Sequence, residues 1–147
     1  MFSPIEQGAW GGFLSIYSRL NRLIEEDLQE HARISHAEFE ILLRLSWHEN
    51  HRLRIQDLAA QSILTRSGVS RVVERLEKVG LVIREEASED RRGAYAVLTE
   101  AGKERFGIAA DAHATFVRRH FLNLYTEAEQ QQMGEFWKRA EQAINSN

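Results

Sequence analysis

Arginines and small hydroxyl side chains concentrate in two stretches of the chain, and both stretches have the chemistry of a DNA-binding surface. The first stretch carries Thr65, Arg66, Ser67, Ser70, Arg71 and Arg75, and the second carries Asp90, Arg91 and Arg92. Arginine can donate two hydrogen bonds to a guanine edge, and serine can reach a base or a phosphate. The residue types therefore predict contact with double-stranded DNA.

The first stretch has the spacing of an amphipathic helix that begins after Thr65, a residue type that caps helices. Gly80 follows the last periodic residue, as expected at a helix end. The polar groups lie opposite an apolar stripe and so face outward. The stripe consists of Val69, Val72, Val73, Leu76 and Val79. On this helix alone, a solvated face with an Arg71–Glu74 pair explains the pattern equally well.

The second stretch lies at the tip of a predicted β-hairpin. Residues 81–83 are rich in β-forming types, and residues 95–99 alternate as a returning strand does. At the tip, Arg91 and Arg92 are long cations suited to a narrow minor groove. Asp90 can orient an arginine through a bidentate pair. The alternative is a polar hairpin with a surface salt bridge, which contributes little.

Helical patterns precede these two stretches. Residues 4–31 carry apolar side chains at helical spacing, and Ser35 with Glu38 forms a capping box for a second helix. A short strand at residues 52–54 and a short helix at residues 55–62 complete the approach to Thr65. Two helices followed by a hairpin are the elements of a winged helix-turn-helix.

Two more helices follow the hairpin. Thr99 is positioned to cap the fifth, and Thr126 with Glu129 forms a capping box for the sixth. The predicted inner faces hold Phe106, Ala109, Ala110, His113, Phe116, Val117 and His120 in the fifth helix, and Met133, Phe136, Trp137, Ala140 and Ile144 in the sixth. Aromatic-rich helices at both ends of the chain close a monomer core or form a dimer interface. We favour a dimer, because a symmetric DNA-binding protein gains affinity by contacting two half-sites.

Composition narrows the class of protein. The 147 residues are 43% hydrophobic and 28% charged, which is typical of one globular domain. No apolar run reaches membrane-spanning length, and the N-terminus lacks a signal-peptide pattern, so we expect a cytoplasmic protein without membrane contact. The absence of cysteine excludes disulfides and thiolate chemistry. The net charge of −3 does not argue against DNA binding, since the charge of one face decides it.

The wing segment resembles the signature of the MarR family of transcriptional regulators, roughly D-x-R-[GA]-x-x-[VA]-x-L-T-x-x-G. The matching residues are Asp90, Arg92, Gly93, Ala96, Leu98, Thr99 and Gly102. Residues 64–76 are similar to the family's recognition helix, and the length and helix order also fit. The resemblance implies a mainly α fold with a small β wing, in one domain over residues 1–147. It also implies that Arg92 enters the minor groove and that Asp90 supports the wing.

The resemblance further implies a homodimer on palindromic operator DNA, most often as a repressor. The DNA-binding region then covers about residues 33–99, and the dimerisation helices cover residues 1–32 and 100–147. Many family members release DNA when a small aromatic or anionic molecule binds between these regions. Cysteine-based oxidant sensing, used by other members, is excluded here.

A pocket for such an effector is a hypothesis drawn from aromatic and basic residues on the first two helices. Its candidate lining is Trp10, Phe13, Tyr17, His36, Phe39 and Arg44. The rings suit an aromatic ligand, and His36 or Arg44 suits a carboxylate. Ordinary core packing is the simpler explanation of the rings.

The alternatives are a metal-responsive regulator, a winged helix for protein contact, and an enzyme. His48 and His51 are three residues apart, and His113 and His120 seven, but neither pair has an evident third and fourth ligand. Surface polarity explains the first pair, and core histidines with satisfied hydrogen bonds explain the second. We expect no metal and no cofactor.

The chain has no phosphate-binding glycine loop, nucleophile elbow or HExxH motif, so we expect that the protein is not an enzyme. The basic wing argues against protein contact alone.

Overall fold

The computed structural model describes residues 1–62, 64–86 and 93–146. The helices in these ranges are α1 (Pro4–Ala32), α2 (His36–Trp47), α3 (Ile55–Gln61), α4 (Arg66–Lys78), α5 (Glu100–His120) and α6 (Glu127–Asn145). The strands are β1 (Arg52–Arg54), β2 (Val82–Glu86) and β3 (Ala94–Leu98), with short 3-10 turns at Glu49–His51 and Leu122–Leu124. The predicted mainly α fold with a small β wing is confirmed.

Side-chain caps begin the helices where the sequence predicted them. The Ser35 backbone N–H donates to the Glu38 carboxylate at 2.7 Å, and the Glu38 N–H donates to the Ser35 hydroxyl at 3.2 Å. Thr126 begins α6 with a box of the same kind, and Thr65 caps α4 by accepting the Gly68 N–H at 3.2 Å. Each cap satisfies N–H groups that have no partner within the helix.

The three strands form one antiparallel sheet in the order β1-β3-β2. Arg54 and Glu85 both pair with Tyr95, whereas Leu53 and Arg84 both pair with Ala96. Because side chains alternate along a strand, the sheet has two distinct faces. Ala96 is buried on one face, and the face with Tyr95 carries charged neighbours.

The chain divides into two compact units, Met1–His113 and Ala114–Asn147. The core of the first unit contains side chains with essentially no exposed surface from α1, α2, α3, α4 and the sheet. Among them are Leu28, Ile41, Leu42, Leu45, Leu58, Val69, Val73, Leu76 and Val82. The prediction that Val79 belongs to the buried stripe of α4 is wrong, since this residue is 66% exposed. The helix ends at Lys78, and the backbone of Val79 is no longer helical, with φ −97° and ψ 6°.

The second unit contains the end of α5 and the whole of α6. None of the residues of α6 described here is buried, and its predicted apolar face lies open: Phe136 and Trp137 are each 51% exposed and Ile144 is 75% exposed. His120, predicted on the inner face of α5, is also exposed. Its ring lies 4.4 Å from that of Phe116.

The segment from Leu98 to Gly102 joins the sheet to α5 through a compact set of bonds. The Thr99 hydroxyl donates to the Gly80 carbonyl at 2.7 Å and accepts the Gly102 N–H at 3.0 Å. A Cβ atom on Gly102 would lie 2.8 Å from the Leu98 side chain and closer still to the Leu81 carbonyl oxygen. Glycine is therefore required here by close approach of the backbones.

Candidate nucleic-acid interface

The polar side of α4 faces solvent, as its periodicity predicted. Thr65, Arg66, Ser67 and Arg71 are exposed, and Ser70 is half-buried. Four apolar residues of the same helix are buried on the opposite side. The burial of that side holds the helix rigidly, so the exposed side is presented in one orientation.

The ion pairs on this face differ from the pairing considered from the sequence. Glu74 pairs with Lys78 at 2.9 Å rather than with Arg71, and the hydrogen bond from Lys78 lowers the pKa of Glu74. Within residues 1–62, 64–86 and 93–146, neither Arg66 nor Arg71 forms an ion pair. Their guanidinium groups are therefore available to an anionic partner.

Arg75 has a structural attachment that the sequence did not indicate. Its Nε atom lies 3.4 Å from the Glu38 carboxylate, which also caps α2. This contact ties α4 to the start of α2. Arg75 is thus exposed on α4 and also forms an ion pair that links two helices.

Arg84 was missed by sequence reasoning and connects the wing to α4. Its Nη2 atom donates to the Ser70 carbonyl at 3.3 Å, and its Nε atom lies 3.3 Å from Glu77. The sequence signal for this role is limited to an arginine that directly follows the β-rich residues 81–83. The hairpin strands were predicted correctly, whereas the tip residues Asp90, Arg91 and Arg92 lie outside the described residues.

Comparison with known proteins decides the family. A model of the MarR family matches residues 34–93. The crystal structure of AbsC, a MarR family transcriptional regulator from Streptomyces coelicolor, superposes with a TM-score of 0.92 at 33% identity, covering 100% of this chain and 99% of AbsC. This chain belongs to the MarR family of transcriptional regulators.

Two further proteins are similar to this chain over different lengths. Sco3205, a MarR family regulator from the same organism solved in complex with DNA, has a TM-score of 0.92 and 31% identity over 97% of this chain and 90% of that chain. The regulator FarR of Neisseria gonorrhoeae is 37% identical over 75 residues, which are 51% of this chain and 50% of FarR. The match therefore spans about half the length of that curated relative.

The six residues considered for an effector pocket of this MarR-family chain occupy three settings. Trp10, Phe13 and Tyr17 stack along α1, with ring centroids 5.8 and 6.0 Å apart. His36 and Phe39 lie beside α5. Arg44 donates to Glu40 on its own helix at 2.9 Å. An effector carboxylate would have to compete with that carboxylate for the guanidinium group.

A ring cluster lies between α2 and α5 and includes two of these six residues, His36 and Phe39. Phe39 stacks on Phe106 at 5.9 Å and meets the His113 ring at 4.8 Å, and His36 lies 6.3 Å from His113. The expectation of a satisfied core histidine is wrong for His113: its Nδ1 atom is buried without a hydrogen-bond partner among the described residues. Burial lowers the pKa of His113, and His36 lowers it further while Asp27 opposes the shift.

Folding stability should therefore fall in mild acid. The folded-state pKa of His113 lies below that of the unfolded chain, so the unfolded chain binds the proton first as the pH decreases. The contribution of neutral His113 is complete above about pH 6.5 and is lost below it. We expect urea unfolding to show a smaller loss of stability between pH 7.5 and 5 for His113→Asn than for the parent. Equal pH profiles for His113→Asn and the parent would contradict this account.

Across the described ranges, no three His, Asp or Glu side chains are grouped to hold a metal ion. In the same part of the chain, no helix is both long enough and apolar enough to cross a bilayer.

Proposed function

We propose that this MarR-family regulator binds palindromic double-stranded DNA, with α4 in the major groove and the wing against the flanking backbone and minor groove. The observation that carries the proposal is the exposed side of α4, where Arg66 and Arg71 make no ion pair among the described residues. A relative 31% identical over nearly the whole chain was solved in complex with DNA. A rigid helix with outward arginines fits a major groove.

Each polar residue of the interface has a proposed task. Arg71 and Ser70 lie in the first half of α4 and read base edges, while Thr65, Arg66, Ser67 and Arg75 contact the phosphate backbone. Arg91 and Arg92 reach the minor groove from the wing, with Asp90 orienting them. The Arg84 contacts with Ser70 and Glu77 support this arrangement, since they couple the wing strand β2 to α4.

We propose that the protein acts as a homodimer through residues 1–32 and 100–147. Large apolar side chains are exposed in each unit taken by itself. They are Ile5, Trp10, Leu14 and Tyr17 in the first, and Leu124, Phe136, Trp137 and Ile144 in the second. Exposed patches of this kind mark interaction surfaces. A dimer also gathers the basic faces of two copies, which suits a chain with a net charge of −3.

Ligand-responsive repression in the cytoplasm is the proposed biological role. The ring cluster around Phe39 and His113 supports an aromatic effector, because stacked rings and an unsatisfied ring nitrogen offer both apolar contact and a polar anchor. Calorimetry against a panel of aromatic acids tests this role, and heat of binding should disappear in His113→Phe. Absence of binding by every acid in the panel removes the effector from the proposal.

The DNA proposal is tested on an inverted repeat taken from the region upstream of the gene. The purified protein should retard that duplex in a gel, and a shuffled duplex of equal length should bind much more weakly. Affinity should fall steeply with salt, because bound phosphates release counterions. Equal binding of both duplexes, or none, contradicts sequence-specific recognition and favours a winged helix used for protein contact.

Substitution of Arg71 by alanine should alter the sequence preference of binding. Loss of one bidentate contact to a guanine costs about 1–3 kcal/mol of discrimination, or roughly 5- to 150-fold in relative affinity for the preferred base. Selection of binding sites from a randomised duplex measures this effect. Lys78→Ala removes the same charge from the other end of α4, where Lys78 pairs with Glu74, and should leave the preferred site unchanged. The same selected site for Arg71→Ala and the parent would remove Arg71 from base recognition.

A further inference from the structure

Glu77 of α4 forms one end of a link between that helix and the wing strand β2. Its carboxylate lies 3.3 Å from the Nε atom of Arg84, while the Nη2 atom of Arg84 donates to the Ser70 carbonyl at 3.3 Å. Ser70 and Glu77 are seven residues apart, so they lie on one side of the helix and about two turns from each other. One guanidinium therefore contacts two separate turns of α4.

The two contacts hold the Arg84 side chain in one orientation. The donors of a guanidinium have a fixed planar geometry, so contacts at Nε and Nη2 together restrict how the group can turn. Arg84 and Glu77 are both exposed, with 37% and 40% of their side-chain surface accessible. An exposed ion pair contributes little to folding stability. We therefore expect its effect on the position of the wing and not on the stability of the fold.

The wing gains from such a link because the core covers β2 only at its first residue. Val82 is buried, whereas residues 83–86 are exposed. Arg84 lies in the middle of β2, so its contacts with α4 restrain the strand beyond its buried start. A restrained wing loses less entropy when the helix and the wing contact one duplex together.

Charges around Arg84 are balanced, which distinguishes it from a side chain that attracts phosphate. The hydrogen bond and charge of Lys78 lower the pKa of Glu74 most, and the charge of Arg84 lowers it further. Arg84 therefore acts on two carboxylates of α4, those of Glu74 and Glu77. Two cations face two carboxylates in this group, so its net charge is zero. These surroundings favour a positioning role over a phosphate contact.

We propose that Glu77 and Arg84 position the wing on α4 for DNA binding, so that an acidic residue of this helix raises the affinity for DNA. The inference rests on the proposed DNA binding and adds two residues that act without contacting the duplex. Without the link, the wing samples more orientations relative to α4, and ordering it on DNA reduces the affinity. Electrostatics alone predict the opposite sign for Glu77, because a carboxylate near the interface repels phosphate.

The decisive experiment compares Glu77→Ala with Glu86→Ala on the inverted repeat by fluorescence anisotropy. Each variant loses one carboxylate, so the change in net charge is matched. Glu86 is exposed at the end of β2 and forms no ion pair among the residues that the structure describes. Glu77→Ala should weaken binding about 2- to 10-fold. Glu86→Ala should bind as tightly as the parent or more tightly.

The salt dependence of binding separates positioning from phosphate contact. A residue that only orients the wing releases no counterion from DNA. Arg84→Ala should therefore weaken binding and keep the parental slope of log affinity against log salt. A direct contact between Arg84 and a phosphate would instead reduce that slope by about 0.9 for each protomer bound. A reduced slope overturns the positioning role.

Two double-mutant cycles test whether the link acts as one unit and through the wing. In the Arg84→Ala background, Glu77→Ala should no longer weaken binding, because its partner is absent. In the Arg92→Ala background, the loss caused by Glu77→Ala should shrink, because the proposed minor-groove contact that the link positions is removed. Additive losses in either cycle overturn the inference.

The outcomes keep the inference apart from the proposed function. A parent protein that does not bind the repeat overturns both. A parent that binds it, with Glu77→Ala binding equally or more tightly, overturns the positioning role alone. Alanine favours the helix, so α4 should remain intact in Glu77→Ala, and circular dichroism on heating establishes that each variant is folded at the assay temperature. Glu77→Gln, which removes the charge and keeps the size, should weaken binding in the same direction.

Discussion

Replacing Gly102 by alanine should destabilise the fold by about 3 kcal/mol or more, although it adds one methyl group. The new Cβ would collide with the Leu81 carbonyl, which accepts the Thr99 N–H at 3.1 Å. Neither backbone can retreat easily, because Leu81 also donates to the Leu76 carbonyl at 2.9 Å. Urea unfolding at one fixed protein concentration measures the effect, since the stability of an oligomer depends on concentration.

Gly107 provides the matched control for this prediction. It lies on the same helix, α5, and a Cβ there meets no atom within 4 Å. Gly107→Ala should therefore stabilise the protein by about 0.5–1 kcal/mol through helix propensity. If Gly102→Ala were as stable as Gly107→Ala, the close approach of α5 to Leu81 would be wrong.

Introducing glutamate at Phe136 should dissociate the proposed dimer. Phe136 is half exposed on α6 in the single chain, beside Trp137 and near Ile144, and these residues form the apolar face of the helix. A carboxylate buried in an interface without a partner costs several kcal/mol. We expect the dimer dissociation constant to rise at least ~100-fold. Sedimentation velocity at a series of concentrations measures this change, and operator affinity should fall with it because the two half-sites are no longer linked.

Gln131→Glu is the control for the added charge. Gln131 is exposed on α6 and lies roughly 140° round the helix from Phe136, outside the apolar face. This variant should sediment as the parent does. Identical sedimentation of Phe136→Glu and the parent would remove the α6 face from the proposed interface.

Local patterns in the sequence were sufficient for the helices, their starts and the buried side of α4. The capping boxes at Ser35 and Thr126 involve residues three apart, and the stripe of α4 repeats within one helix. Such features depend on bonds within one or two turns, so they can be read before the fold is known. The signature from Asp90 to Gly102 was likewise enough to suggest the family, which the comparison with AbsC then established.

The same local reasoning failed where an element ends or meets another. Val79 continues the apolar period of α4 yet is exposed, because the helix stops one residue earlier. His113 and His120 share one helical face in the sequence, but only His113 lies in the ring cluster with Phe39. Periodicity indicates which side of a helix is buried. It does not indicate how far along the helix a neighbouring element covers that side.

The contacts that shape the candidate interface needed the tertiary structure. Arg84 reaches a carbonyl 14 residues away, and Arg54 reaches a hydroxyl 41 residues away. The need for glycine at position 102 arises from a carbonyl on a separate segment, at Leu81. The sequence therefore supplied the residues that are proposed to contact DNA, whereas the packing of strands against α4 decided how those among the described residues are held. Side chains far apart in the chain become neighbours only when the core brings their elements together.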